Sequence, residues 1–362
     1  MAKGKRKGLN VHAVTREIEV SSSVSGIIGG EIVKFGLDNL YPNRVREIRR
    51  GSPTASGCVK RKTEFIVGLG TNNPERIVNR HGQTLNDVVR IASEDYTEFD
   101  GFALHFNVNL VREITEIQNV DLRYLRKTAD LKKVRLSKLK TENLFDDSAY
   151  EIPLWGSGGS PKNGYIFYFN RGRGIYPTCP FEASLTSAQF EDSSQVFSYM
   201  NAENGFSASG LLKIPNLPES DKKKRKIEEQ VKKVVGSKSA GSVLLVNAPQ
   251  NIEGEIDGSK MFEPFQLSNV DSLHTKQTER AREYILRDFN MPEILLGVGS
   301  NGMFNKESFE DAHNYYNSDT ERDRKIIERA FNSFLPFAGI EDLEIIPLEK
   351  LGEETKTGEG KE

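Results

Sequence analysis

Only two cysteines, Cys58 and Cys179, stand in 362 residues. That excludes a disulfide framework and any multi-cysteine zinc site, and both thiols read as reduced. The five histidines (His12, His81, His105, His274 and His313) are scattered, with no HExxH or paired His/Cys spacing, so no metal ligand set is expected. No apolar run approaches the roughly 20 residues of a membrane span, so no membrane contact is expected. The first residues, MAKGKRKGLN, are basic but are followed by no apolar h-region, which argues against a signal peptide. GxxxxGK[ST] and GxSxG are absent, and Gly236-Ser237-Lys238-Ser239 has the wrong spacing for a phosphate loop. The net charge of −2 gives no compositional case for nucleic-acid binding. Nothing here marks an enzyme or asks for a cofactor.

What is present is a polar chain, 36% hydrophobic and 28% charged, long enough for two or three domains. Its charge is uneven. Residues 1–75 carry 13 Lys/Arg against 7 Asp/Glu, and residues 341–362 carry 3 against 8. Residues 1–30, which include Lys3, Lys5, Arg6 and Lys7, read as a flexible basic arm. A short helix is predicted from about Arg44, a turn at Gly51–Pro53, and a helix ending at Gly68. Residues 84–99 are amphipathic, with Leu85, Val88, Val89 and Ala92 on one face. Strands are predicted from Gly101, over VREITEIQNVDL, at IFYFN, at SASGLLKIP and at GSVLLVNAP. Residues 181–202 and 221–235 read as helices, and 121–140 fits helix or strand.

The most informative stretch is 273–336. A helix over LHTKQTERAREYILRDF stops at Pro292, which lacks an amide proton and disfavours helix before it. Then come a glycine-rich loop and, from Lys306 to about Leu335, a run with neither glycine nor proline. As one helix it would be a rod of about 45 Å. Its C-terminal half carries Ile326, Ile327, Ala330, Phe331 and Phe334, an apolar surface broader than one neighbour within a subunit requires. Ile326, Ile327, Phe331 and Phe334 are therefore the expected intersubunit residues. Gly297-Val298-Gly299-Ser300-Asn301-Gly302 fits GxGxxG, yet Met303-Phe304-Asn305 separate it from the helix, and Asp323 lies inside that helix rather than after a second strand. Gly297, Gly299 and Gly302 are read as a hinge, not a dinucleotide site.

Several segments, in order, resemble tailed-bacteriophage portal proteins of the HK97-like family, the head–tail connectors. Tyr284–Gly297 resembles the family's segment of helix, proline and Leu-Leu-Gly, followed by Asn305-Lys306-Glu307. Asn204-Gly205 with Ser209-Gly210-Leu211-Leu212, and Asp100-Gly101-Phe102-Ala103-Leu104, resemble two upstream motifs. Ser52-Pro53-Thr54-Ala55 with Phe65-Ile66-Val67-Gly68 resembles the opening helix. The resemblance runs from about residue 39 to 348.

It implies an α+β subunit. An α/β wing would span 31–265, stem-like helices with a hinge loop at 297–305 would span 266–336, and a clip-like strand and acidic tail would span 337–362. The family's helical crown would be missing or shortened. It further implies a homo-oligomeric ring of about twelve subunits, a dodecamer. The ring would sit in the virion at one capsid vertex after assembly in the host cytoplasm. It would pass double-stranded DNA during packaging and ejection, and would contact terminase, capsid and head–tail adaptor proteins. Arg322, Arg324, Lys325 and Arg329 would be the channel-facing or DNA-facing residues. Two other readings are a non-ring phage scaffold or adaptor that uses the same helix as a coiled coil, and a nucleotide-binding enzyme that uses Gly297–Gly302.

Overall fold

The computed structural model describes residues 27–28, 32–136, 150–158, 163–203, 210–215, 243–248, 262–264, 270–297 and 306–352. β1 (Ile27–Ile28) and β2 (Ile32–Val33) form an antiparallel pair. Next come α1 (Tyr41–Gly51) and α2 (Pro53–Val67), parted at the predicted turn. Ser52 serves both helices. Its amide closes α1 on the Ile48 carbonyl, and its hydroxyl accepts the Ala55 amide to open α2. Pro53 falls at the first helical position, where a missing N–H costs nothing.

β3 (Gly70–Thr71) leads to α3 (Leu85–Phe99). Thr84 and Asp87 form a reciprocal capping box at its start, and those bonds hold the Asp87 carboxyl below its usual range. The predicted apolar face of α3 is fully buried. β4 (Gly101–Val108) is the centre of an antiparallel sheet, between β5 (Ile114–Val120) and β9 (Tyr165–Asn170). The segment that fitted helix or strand becomes one 3-10 turn at Leu122–Tyr124, then β6 (Leu125–Lys127) and β7 (Lys133–Leu136). With β8 (Tyr150–Pro153) these make a second antiparallel sheet. After α4 (Leu185–Glu203), β10 (Gly210–Pro215) pairs in parallel with β11 (Val243–Ala248) and antiparallel with β12 (Phe262–Pro264). The helix expected at 221–235 and the basic arm at 1–30, apart from Ile27–Ile28, lie outside the described residues.

The last elements are α5 (Val270–Asp288), α6 (Lys306–Asp319), α7 (Glu321–Asn332) and β13 (Ile345–Ile346). The strand expected near the C-terminus is only two residues long, and it pairs with β3 of the same chain. Gly68 ends α2 at φ 59°, and a Cβ there would lie 2.1 Å from the Ile346 carbonyl oxygen. Only glycine permits so close a crossing.

The alternation of β4 divides the interior in two. Ala103 faces a cluster with Tyr41, Cys58, Ile166, Ile285 and Tyr316. Phe102, Leu104 and Phe106 face the other way, onto Val88, Tyr96, Ile327, Phe331, Phe334 and Ile345. Both clusters mix residues from before and after position 265, so α5–α7 share cores with the expected wing. A buried ion network adds a polar tie. From α1, Arg46 reaches Asp95 (2.6 Å) and Glu98 (2.8 Å) on α3, and Asp121 (3.0 Å) beyond β5.

Candidate functional site

The 306–335 run is not one rod. It breaks at Thr320, between α6 and α7. The cause lies in side chains that claim the carbonyls at the end of α6. Thr320 Oγ1 donates to the carbonyls of Tyr316 (3.0 Å) and Asn317 (3.2 Å). Arg324 Nη2 donates to the Asn317 carbonyl at 2.7 Å, and Nη1 donates to Asn317 Oδ1 at 3.0 Å. Such local donors compete with the helical ladder. Nη1 also donates to the Phe65 carbonyl at 2.8 Å, in the last turn of α2. One guanidinium thus caps two helix C-termini, where a cation is favoured.

Beyond the break, α7 has two unlike faces. Its inner face carries Asp323, Ile327, Ala330 and Phe331, and Phe334 follows just past its end. Asp323 accepts the Tyr96 hydroxyl at 2.8 Å and pairs with Lys62 (3.1 Å) and Arg171 (3.3 Å). Burial, and then the negative charge of Asp323, push the Tyr96 hydroxyl well above its usual range. The same Arg171 also donates to Tyr96 at 2.8 Å and pairs with Asp100 at 3.3 Å. This network fixes the rotation of α7 about its axis. Its outer face then presents Arg322, Lys325 and Arg329, all exposed and spaced to share one stripe. Lys325 pairs with Glu328 at 3.0 Å, which raises the amine, while Arg322 and Arg329 have no carboxylate partner among the described residues.

Three of the four candidate DNA-facing residues therefore lie together on an open surface. Arg324 does not. It is 5% exposed and spent on main-chain carbonyls. The intersubunit expectation needs a larger correction. Ile327, Phe331 and Phe334 are each 0% exposed within a single chain. Phe331 stacks on Phe102 (centroids 5.6 Å apart), and Phe334 packs on Phe106 (4.6 Å) and Phe167 (4.8 Å). A side chain with no exposed area has none to give a neighbour. The breadth of the apolar face is explained by the sheet beneath it. Ile326 is half-buried against the same cluster. Gly297 ends a 3-10 turn, Glu293–Leu296, in the left-handed region at φ 74°, whereas Gly299 and Gly302 lie outside the described residues.

Sequence reasoning missed Tyr96, Lys62 and Arg171 as the residues that orient this face. Their partner is 227, 261 and 152 positions away respectively, so no local pattern signals them. Among the described residues no cluster of three potential metal ligands occurs, and no helix is long and apolar enough to cross a membrane.

The arrangement recurs in solved structures. The chain has the fold of a gene transfer agent neck chain. That likeness has a TM-score of 0.53 at 15% identity and covers 87% of this chain and 86% of the other, in the neck of the native particle computed with C12 symmetry. A chain of the virion of the native gene transfer agent particle matches at TM-score 0.53 and 15% identity, over 84% of this chain and 83% of that one. An HK97 family phage portal protein from Corynebacterium diphtheriae is similar at TM-score 0.46 and 12% identity, over 79% of this chain and 90% of its own; a score below 0.5 carries no argument. No protein-family model matches the sequence, and no curated protein matches it. At such identities it is the backbone that is shared, and the surface chemistry of α7 has to be read from this chain's own residues.

Proposed function

We propose that the chain is a portal-type subunit. Copies of it close a ring at one capsid vertex of a virion, pass double-stranded DNA during packaging and ejection, and dock terminase and a head–tail adaptor. The carrying observation is the fold match, over most of both chains, to a chain from a neck computed with C12 symmetry. The ordered segments from Ser52 to Gly297 that resemble HK97-like portal proteins support the same reading. In it, residues 31–265 supply the wing-like part, and α5–α7 supply the stem-like part. The stripe of Arg322, Lys325 and Arg329 is the DNA-facing surface, with the basic residues before position 8 as a second contact. The subunit itself performs no catalysis and holds no cofactor.

Charge is consistent with a conduit. Residues 270–335 carry 9 Lys/Arg against 12 Asp/Glu. Many unpaired cations would hold DNA in place through counterion release, and a passage has to let it move. Three exposed cations on an otherwise acidic segment give weak, salt-sensitive contact. A coiled-coil scaffold is disfavoured because the break at Thr320 removes the continuous rod it would use.

Native mass spectrometry and negative-stain imaging of the purified protein test the reading. Closed rings of about twelve copies are expected. Monomers and dimers alone, across a wide range of protein and salt concentration, would refute it.

A further inference from the structure

Between α2, α3 and α6 the surface opens into a groove of about 720 Å³, within the size range of binding sites. Its floor is apolar, with Phe65, Leu295, Phe309 and Leu348. Lys60 and Arg90 stand exposed at its rim and form no ion pair among the described residues. Its other two arginines are neutralised, Arg49 by Glu94 at 2.6 Å and Arg61 by Glu64 at 3.0 Å. An apolar floor under an unpaired basic rim fits a surface that is apolar and free of cations.

The chain carries such a surface elsewhere. From Gly174 to Leu212 there is no lysine or arginine, while Glu182, Glu191, Asp192 and Glu203 fall in that stretch. α4 lies within it. Its first half is anchored, because Glu191 accepts the hydroxyls of Ser52 and Thr54. Further along, Val196 is 49% exposed and Tyr199 is 64% exposed, so the chain does not itself cover them. A second apolar projection, Leu110 and Val111 at the β4–β5 turn, is also exposed. There the next residue is Arg112, which would bring a like charge to the rim.

We propose that the outer half of α4 of one copy docks in the α2–α3–α6 groove of the next. Two different patches of one chain then meet, the heterologous contact from which a closed ring is built. The inference rests on the ring reading and supplies that ring with an interface: Val196 and Tyr199 seat on the floor, and Lys60 and Arg90 meet the cation-free stretch.

Cysteine pairing in the full chain tests this, since Cys58 and Cys179 are both buried. A chain carrying both Lys60→Cys and Tyr199→Cys, assembled and then mildly oxidised, should run as a ladder of covalent multimers on a non-reducing gel. Lys60→Glu with Arg90→Glu should raise the concentration needed for ring formation at least tenfold in sedimentation velocity. Rings that form normally in the charge-reversed protein, with no ladder from the cysteine pair, would overturn the inference and leave the ring reading standing. A ladder from Lys60→Cys with Val111→Cys instead would place the β4–β5 turn in the groove and overturn it too. An intrachain 60–199 disulfide would do the same. If the unmodified protein never forms rings, the ring reading falls and this interface with it.

Discussion

Arg324 offers the sharpest test of how the helices after position 305 are arranged. Were it on a channel wall, Arg324→Ala would affect DNA contact and leave stability alone. In this structure its guanidinium is the donor to the Phe65 carbonyl (2.8 Å), the Asn317 carbonyl (2.7 Å) and Asn317 Oδ1 (3.0 Å). The Phe65 carbonyl lies in the last turn of α2, and the Leu69 amide that could have served it goes to Ile346 instead. Truncation would leave that oxygen buried without a side-chain donor, at about 1–3 kcal/mol. The Asn317 carbonyl keeps Thr320 Oγ1 at 3.2 Å, so its loss is smaller. Relief of the buried charge offsets part of the sum, since burial already holds this guanidinium below its usual pKa. A net loss of about 2–4 kcal/mol is expected. Arg324→Lys should recover little of it, because one ammonium cannot span acceptors on two helices. Arg322→Ala, on the open face of the same helix, should stay within about 0.5 kcal/mol. Urea denaturation followed by circular dichroism measures all three. Equal, small losses for Arg324→Ala and Arg322→Ala would refute the assignment of Arg324 as a helix-capping residue.

Phe331→Ala should cost about 3–5 kcal/mol, because the ring is fully enclosed by Phe102 and Phe334; a mild loss in the same denaturation assay would mean that the packing of α7 on β4 is wrong. The Asp95 carboxyl is pushed up to about 7 by burial, against the pull of Arg46 and with the added negative charges of Asp121 and Glu98. Between about pH 4 and 7 the folded chain then binds a proton that the unfolded chain has released, so this group's share of stability, present below that window, is lost as pH rises through it. Asp95→Asn should flatten that decline, read as stability against pH beside the parent protein. Asn314 and Asn317 hold the Leu351 and Leu348 carbonyls at 2.9 and 2.8 Å, strapping residues 348–351 along α6. Asn314→Ala with Asn317→Ala should raise amide exchange at Leu351 several-fold, and unchanged exchange would show that the strap is held elsewhere.

Local elements were legible in the sequence because their causes are local. The Ser52–Pro53 junction, the Thr84–Asp87 capping box, the four-residue apolar face of α3 and the stop at Pro292 each act within one or two turns. The resemblance carried by Ser52–Gly68, Asp100–Leu104 and Tyr284–Gly297 likewise sits in short segments. The break at Thr320 was not legible, because a threonine within a glycine-free and proline-free run ordinarily continues a helix. It becomes a break when Arg324 and Asn317 close over it and the Phe65 carbonyl arrives from α2. The use of the apolar face was equally hidden. Ile327, Phe331 and Phe334 announce that something covers them, but periodicity cannot say whether that is a second copy or the chain's own β4, more than 200 residues earlier. Contacts at that separation decided which of four neighbouring cations is buried and which three form an open stripe. The reason is geometric: a helix supplies a face through its own repeat, and only the partner, fixed through Asp323, Tyr96 and Lys62, sets which way that face turns.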